Sequence, residues 1–292
     1  MQQTSSSLIV EEAPASVQTP VAAPSAAGAG LMLASVTLWR REMVRFFRQR
    51  NRVIGSLATP LVIWLMLGMG FSGSFDIGAA ADEAGVSYQH YFFPGIVSMM
   101  LLFTAIFATI SVIEDRREGF MQAVVVAPVP RSAIVLGKVL GGASIATIQG
   151  LVLLGLWQML GPGAPLMSLA AAVVVMFVLA MGLTALGLCL AWPMDSTAGF
   201  HAIMNLFLMP MWVLSGAVFP LTSAPPAMRA IMWANPMTYG QTLLSSLFIG
   251  KPGVTGAPAP MPVAAAVLVV FVVAMTVVAT RVVGRRRKDP MA

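Results

Sequence analysis

Residues 92–138 read FFPGIVSMMLLFTAIFATISVIEDRREGFMQAVVVAPVPRSAIVLGK, and they decide the fold. The run 92–113 carries no charge. A helix rises about 1.5 Å per residue, so roughly 20 apolar residues cross the hydrocarbon of a bilayer. Five consecutive charges then follow, Glu114-Asp115-Arg116-Arg117-Glu118, with Gly119 after them. Pro128 and Pro130 end any helix, and Lys138 opens another apolar run. An apolar span, a compact polar element and a second span therefore lie in series.

The rest of the chain repeats the apolar theme. Hydrophobic residues make up 58% of it, charged residues 10%, and the mean hydropathy is +0.85. A soluble domain carries roughly a quarter charged residues, so this chain cannot cover itself with a polar surface. Six runs reach spanning length, at about 53–71, 92–113, 139–160, 166–191, 202–219 and 263–283. Each must be helical, because lipid offers a bare backbone amide no partner. The fourth is long enough to tilt, and Pro210 should kink the fifth. The reading is an all-α integral membrane protein.

Charge sets the orientation. Six arginines precede the first span (Arg40, Arg41, Arg45, Arg48, Arg50, Arg52). Arg116, Arg117, Arg131 and Lys138 lie between spans two and three, and Arg281, Arg285, Arg286, Arg287 and Lys288 end the chain. Only Arg229 and Lys251, of 17 basic residues, fall elsewhere. With an even number of spans the three clusters share one side, expected to be cytoplasmic, with both termini there and the protein in the cytoplasmic (inner) membrane. The first outside loop, 72–91, has Asp76, Asp82 and Glu83 and no basic residue. A net charge of +6 placed at span ends is membrane-orientation behaviour and gives no reason to expect nucleic acid. The single cysteine, Cys189, excludes a disulfide within the chain.

Residues 1–30 are rich in Ala, Pro, Ser and Gly and are expected to be a disordered cytoplasmic tail. They lack the basic start and early apolar core of a secretory signal. In 31–52, Val36, Trp39, Met43, Phe46 and Phe47 recur at helical spacing with Arg40, Arg41, Arg45, Arg48 and Arg52 between them. This predicts a basic amphipathic helix in the inner interface. A simple topogenic charge cluster would explain the arginines alone; the interleaved aromatics favour the helix. Segment 220–250 is apolar but interrupted at Pro225-Pro226 and Asn235-Pro236, which suggests two short helices dipping back into the outer leaflet.

The absences matter as much. No predicted span core carries Asp, Glu, Lys or Arg, which argues against an ion-coupled carrier. Gly137-Lys138 is followed by Val139 and is not a nucleotide-binding loop. Neither H-E-x-x-H nor G-x-S-x-G is present. His90 and His201 are far apart, and His90 reads as part of an interfacial belt with Tyr88 and Tyr91. A membrane enzyme or a non-transporting assembly factor stays open as an alternative. The charged loop itself reads as a short surface helix with an apolar face, fit to dock a partner; a solvated hairpin is the plainer alternative.

Several fragments, in order, resemble one family. They are Tyr91-Phe92-Phe93-Pro94-Gly95, Glu114 through Gly119, Pro128-Val129-Pro130-Arg131 with Gly137-Lys138, Ser215-Gly216 with Phe219-Pro220, and Asn235-Pro236-Met237-Thr238-Tyr239. The chain resembles a type-2 ABC exporter permease, the group of drug, polysaccharide and lipid exporters. Pro130 departs from that pattern, which usually has Ser.

The resemblance implies a transmembrane domain over 53–284, a connecting helix at 31–52 (Trp39, Arg41, Arg45, Phe46) and a basic cytoplasmic tail at 285–292. It implies a coupling helix at 114–127 (Glu114, Asp115, Arg116, Arg117, Glu118, Gly119, Phe120) seated in a cytoplasmic ABC ATPase. The broken segment before span six (Asn235, Pro236, Tyr239) would be the outer re-entrant helices. It further implies a second permease copy, in a homodimer or heterodimer, and contact with membrane lipid. No cofactor would be bound by this chain; ATP and Mg would sit on the partner ATPase.

Overall fold

The computed structural model describes residues 27–70, 87–121, 124, 129–160, 163–250 and 259–284. The expectations for residues 1–26, the first outside loop, most of 122–128, Lys251 and the basic tail lie outside the described residues.

Among the described residues the regular structure is helical throughout. The helices are α1 (Ala27–Arg48), α2 (Arg50–Gly70), α3 (Tyr88–Ala108), α4 (Ile110–Arg117), α5 (Arg131–Leu160), α6 (Leu166–Ala191), α7 (Thr197–Trp212), α8 (Pro226–Ala234), α9 (Pro236–Ile249) and α10 (Met261–Gly284). Six helical stretches are long and apolar enough to cross a membrane: Arg50–Gly70, Tyr88–Arg117, Arg131–Met159, Leu166–Ala191, Thr197–Ala217 and Met261–Gly284. They correspond one for one to the six predicted runs.

Local chemistry sets the starts. The Ser87 side chain accepts from the His90 amide, Ser196 from Gly199 and Asn235 from Met237, each satisfying an orphan donor of a first turn. Pro226 and Pro236 stand where a missing N–H costs nothing.

The core is built round α3. It packs against α2, α5, α6 and α9, and Phe92, Phe93, Ile96, Leu101 and Ile106 have no exposed surface. Phe93 stacks on Trp157 of α5 with ring centroids 4.5 Å apart, and Phe248 of α9 closes on both. His90 sits edge-on to Trp157. Helix α10 lies on α6 and α9. In contrast α2 and α7 leave long apolar faces open, among them Val62, Met66, Met69, Leu206 and Phe207.

The expected span ends are corrected. Glu114–Arg117 form the last turn of the span-two helix, which continues through α4, and helical backbone resumes at Phe120 after a turn at Glu118–Gly119. Arg131–Lys138 likewise belong to α5, and Arg50–Arg52 to α2, with the chain turning at Gln49. In span five, Pro210 lies within α7, ahead of the departure from α-helical geometry. The departure follows in a π turn at Val213–Ala217, where Gly216 has φ +85°, a conformation open to glycine.

The structure also shows which face of α1 meets the protein. Ser35, Leu38, Glu42 and Phe46 are its buried line, while Met32, Leu33, Val36, Val44 and Phe47 are exposed. Glu42 thus turns inward with Arg41 and Arg45 half-buried beside it, while Arg40, Arg48 and much of the apolar surface face outward. The helix lies along α5, where a Cβ at Gly137 would stand 2.6 Å from Leu38 Cβ and one at Gly141 2.9 Å from Glu42 Cβ. Small residues four apart let two helix backbones approach this closely.

Candidate functional site

The inward charges of α1 meet those of α4 and α5 in one buried cluster. Asp115 on α4 has no exposed surface. Its carboxylate accepts from Arg41 Nη1 at 2.9 Å and Nη2 at 2.6 Å, from Arg45 Nη1 at 2.7 Å, and from Lys138 Nζ at 2.6 Å. Lys138 on α5 also donates to Glu42 Oε1 at 2.6 Å and to Ser111 Oγ at 3.0 Å. Arg45 Nη2 donates to Glu114 Oε2 at 2.8 Å. The cations Arg41, Arg45 and Lys138 thus balance the carboxylates Glu42, Glu114 and Asp115. Burial of ions is tolerable only when they are paired and hydrogen-bonded in this way. The hydrogen bond that Arg41 donates to Asp115, working against burial, holds the guanidinium above its ordinary pKa.

The cluster explains the helix extension. Charges that would end a span stay helical here because each meets its opposite on a neighbouring helix. Arg116 and Arg117 continue the pattern differently. Arg116 Nη2 donates to Trp192 O at 2.6 Å and its Nη1 to Met194 O at 3.0 Å, satisfying carbonyls left over at the end of α6. It also reaches Asp195 Oδ1 at 3.2 Å. Arg117 Nε donates to Asp195 O at 3.0 Å. Gly119, at φ +78°, then turns the chain out of the helix, and the Phe120 ring lies 3.8 Å beneath the Arg41 guanidinium.

The predicted docking residues are therefore not equivalent. Asp115 is sealed inside, Glu114 and Arg116 are half-buried and engaged, and Arg117 and Glu118 are exposed. The connecting-helix residues gather at the same place: Trp39 Nε1 donates to Ser144 Oγ at 3.1 Å, and Phe46 is buried beside Arg45.

The segment Asn235, Pro236 and Tyr239 lies toward the other end of the bundle. Asn235 Nδ2 donates to Met211 O at 2.7 Å, and Tyr239 OH to Trp233 O at 2.9 Å. Nearby, Trp212 Nε1 donates to Gly95 O, 20 residues before Asp115 along α3 and α4. That interval corresponds to about 30 Å of helix.

Next to the ionic cluster, α2, α3 and α7 line an open-sided cavity of about 600 Å³. Met99, Met100, Phe103 and Met209 line its apolar side; Arg52, Ser56, Thr104 and His201 line its polar side. Behind it a buried polar chain runs from Thr104 Oγ1 to Gln149 Oε1 at 2.6 Å and from Gln149 Nε2 to Ser56 Oγ at 2.5 Å. Of the Met and Phe residues of span five, Met209 lines this cavity, Met204 is buried and Phe207 is exposed.

Sequence reasoning missed Glu42, Lys138, Gln149 and Arg52 as site residues. One signal was present: Glu42 is the single acidic residue among the arginines of 31–52.

Residues 34–249, which hold the cluster and the cavity, match the family model described as ABC-2 type transporter. The chain belongs to the ABC-2 type transporter family. Over 258 residues it is 25% identical to the Inner membrane transport permease YadH of Escherichia coli (strain K12), covering 86% of this chain and 94% of that one. It is 25% identical over 221 residues to Nodulation protein J of Rhizobium leguminosarum bv. viciae, covering 74% and 83%. The Probable multidrug ABC transporter permease YbhR of Escherichia coli (strain K12) is 24% identical over 167 residues, covering 56% of this chain and 45% of that one. This ABC-2 chain is a multi-pass transmembrane transport permease subunit, and the ionic cluster sits within the residues that match the family model.

Proposed function

We propose that this permease forms the membrane path of an exporter driven by ATP hydrolysis on a separate cytoplasmic ATPase, where nucleotide and magnesium sit. The observation that carries the reading is the buried ionic cluster. It binds α1, α4 and α5 into one unit at the end of the bundle where the basic residues gather, the end expected to face the cytoplasm. A push at the exposed turn Arg117–Phe120 then moves three helices together instead of bending one.

Nucleotide binding closes the paired ATPases, and the rigid unit follows, tilting the spans between two states. Arg117, Glu118 and Phe120 make the contact, while Asp115 and Arg116 keep the contact rigid. The exposed apolar side of α1 rests in the inner interface of the membrane, with both termini inside. The open apolar faces of α2 and α7 meet a second permease copy across the path, and α8 with α9 form the outer cap.

The test is the double variant Arg117→Ala/Glu118→Ala, which leaves the buried pairs intact. It should insert and melt as the wild type does, yet lose copurification with the ATPase and lose transport. Full transport by that variant at normal expression would contradict the docking role.

A further inference from the structure

Among the cations near the ionic cluster, Arg52 differs from its neighbours. Arg41, Arg45, Arg116 and Lys138 each have a carboxylate within 4.0 Å, whereas Arg52 has none among the described residues. Its Nη2 donates to Phe107 O at 2.8 Å and its Nη1 to Gln49 Oε1 at 3.3 Å, both neutral acceptors. A guanidinium has five N–H donors in a planar fork, so this one keeps donors to spare. The nearest carboxylate lining the same cavity, Glu114, is already held by Arg45 at 2.8 Å.

Arg52 lines the polar side of the 600 Å³ cavity between α2, α3 and α7. Opposite it lie Met99, Met100, Phe103 and Met209. Methionines shape themselves to irregular apolar bodies. The volume falls within the roughly 300–1,000 Å³ of pockets that hold drug-sized ligands. A half-buried cation without a carboxylate partner, at the head of an apolar groove, selects one ligand chemistry.

We propose that this cavity binds a compact amphipathic anion, with its acidic head on Arg52 and its apolar body along Met99, Met100, Phe103 and Met209. A carboxylate, sulfate or phosphate head could take the planar fork of Arg52 with two hydrogen bonds. Ser56 and Thr104 line the cavity beside it, but their hydroxyl protons go to Val53 O and Gln149 Oε1, so the donors left for an acidic head are those of Arg52. As the cargo site, this rests on the exporter reading; as a binding site, it stands without it.

The experiment uses the full-length chain in uncharged detergent micelles. A dansyl-labelled medium-chain fatty acid is displaced by dodecanoate or by dodecanol. Dodecanoate should displace it about 10- to 100-fold more effectively, the range that one charge-assisted hydrogen bond supplies. Arg52→Gln should remove that preference, and Arg52→Lys should keep part of it. Gly55 lines the cavity and a Cβ there meets nothing within 4 Å, so Gly55→Phe introduces a ring at the cavity wall from an open position. That variant should lose binding of both competitors while melting normally.

Equal displacement by the acid and the alcohol in the wild type, or an unchanged preference in Arg52→Gln, overturns the proposal. Absence of probe binding, together with loss of dimer in Gly55→Phe, assigns the groove to a second copy and overturns it too. The assay contains no ATPase. A chain that binds as expected but shows no nucleotide-dependent transport would therefore sink the exporter reading alone.

Discussion

Substituting Lys138 by Met tests the energetics of the ionic cluster most sharply. The Lys138 side chain is 3% exposed and Glu42, which it holds at 2.6 Å, is 7% exposed. Asp115 keeps Arg41 and Arg45 after the change, so the damage concentrates on Glu42. The next cation from Glu42 is Arg41 Nη1 at 3.6 Å, and that guanidinium is already committed to Asp115. Removing one partner of a buried pair costs about 3–5 kcal/mol, because the survivor is left as an uncompensated charge. At roughly 2–4 °C per kcal/mol for domains of about 150–250 residues, the apparent Tm should fall by ~6–20 °C. Thermal unfolding in micelles, followed through tryptophan fluorescence, reads this directly. The double variant Lys138→Met/Glu42→Gln removes the stranded charge and should recover most of the loss. The reasoning is refuted if Lys138→Met melts as the wild type does, or if the double variant loses the sum of its two singles.

Other consequences follow from single contacts. Gly137→Ala drives a methyl to 2.6 Å from Leu38 Cβ and 3.0 Å from Ser35 O; overpacking of this kind should cost ~1–3 kcal/mol in melting experiments. Gly155→Ala meets nothing within 4 Å, and should melt within about 1 kcal/mol of wild type or above it. Arg116→Ala leaves the carbonyls of Trp192 and Met194 without their side-chain donor. Hydrogen exchange across 192–200 should then accelerate, by the equivalent of ~1–3 kcal/mol of local stability. Trp212→Phe removes a donor from Gly95 O, but Ser98 Oγ still donates to that carbonyl at 2.9 Å, so melting should register only about 1 kcal/mol.

The spans were legible because length and apolarity alone specify a membrane helix. Their ends were not. A charge normally closes an apolar run, yet Glu114, Asp115 and Lys138 stay helical because partners distant in sequence neutralise them. Helical periodicity in 31–52 showed two faces of α1 and could not show which one the protein takes. In water the apolar face turns inward; beside lipid that preference lapses, and here Glu42 and Arg45 turn toward the core.

The break in segment 220–250 was visible in Pro225-Pro226 and Asn235-Pro236, since proline lacks the amide a helix interior needs. The non-helical turn at Gly216 carried no such mark, and it follows Pro210 at the end of span five. Arg52 stood in a crowd of arginines, and only the pairing of the others in three dimensions sets it apart.

The central claim is that the basic-rich end of α4 receives force from a cytoplasmic ATPase. Glu118 is 61% exposed there, while Trp233, near the opposite end, is 52% exposed. In a Cys189→Ala background, a benzophenone attached at Glu118→Cys should capture the co-expressed ATPase on irradiation, and one attached at Trp233→Cys should not. Capture from Trp233→Cys, or none from Glu118→Cys in a complex that still hydrolyses ATP and transports, would contradict the account.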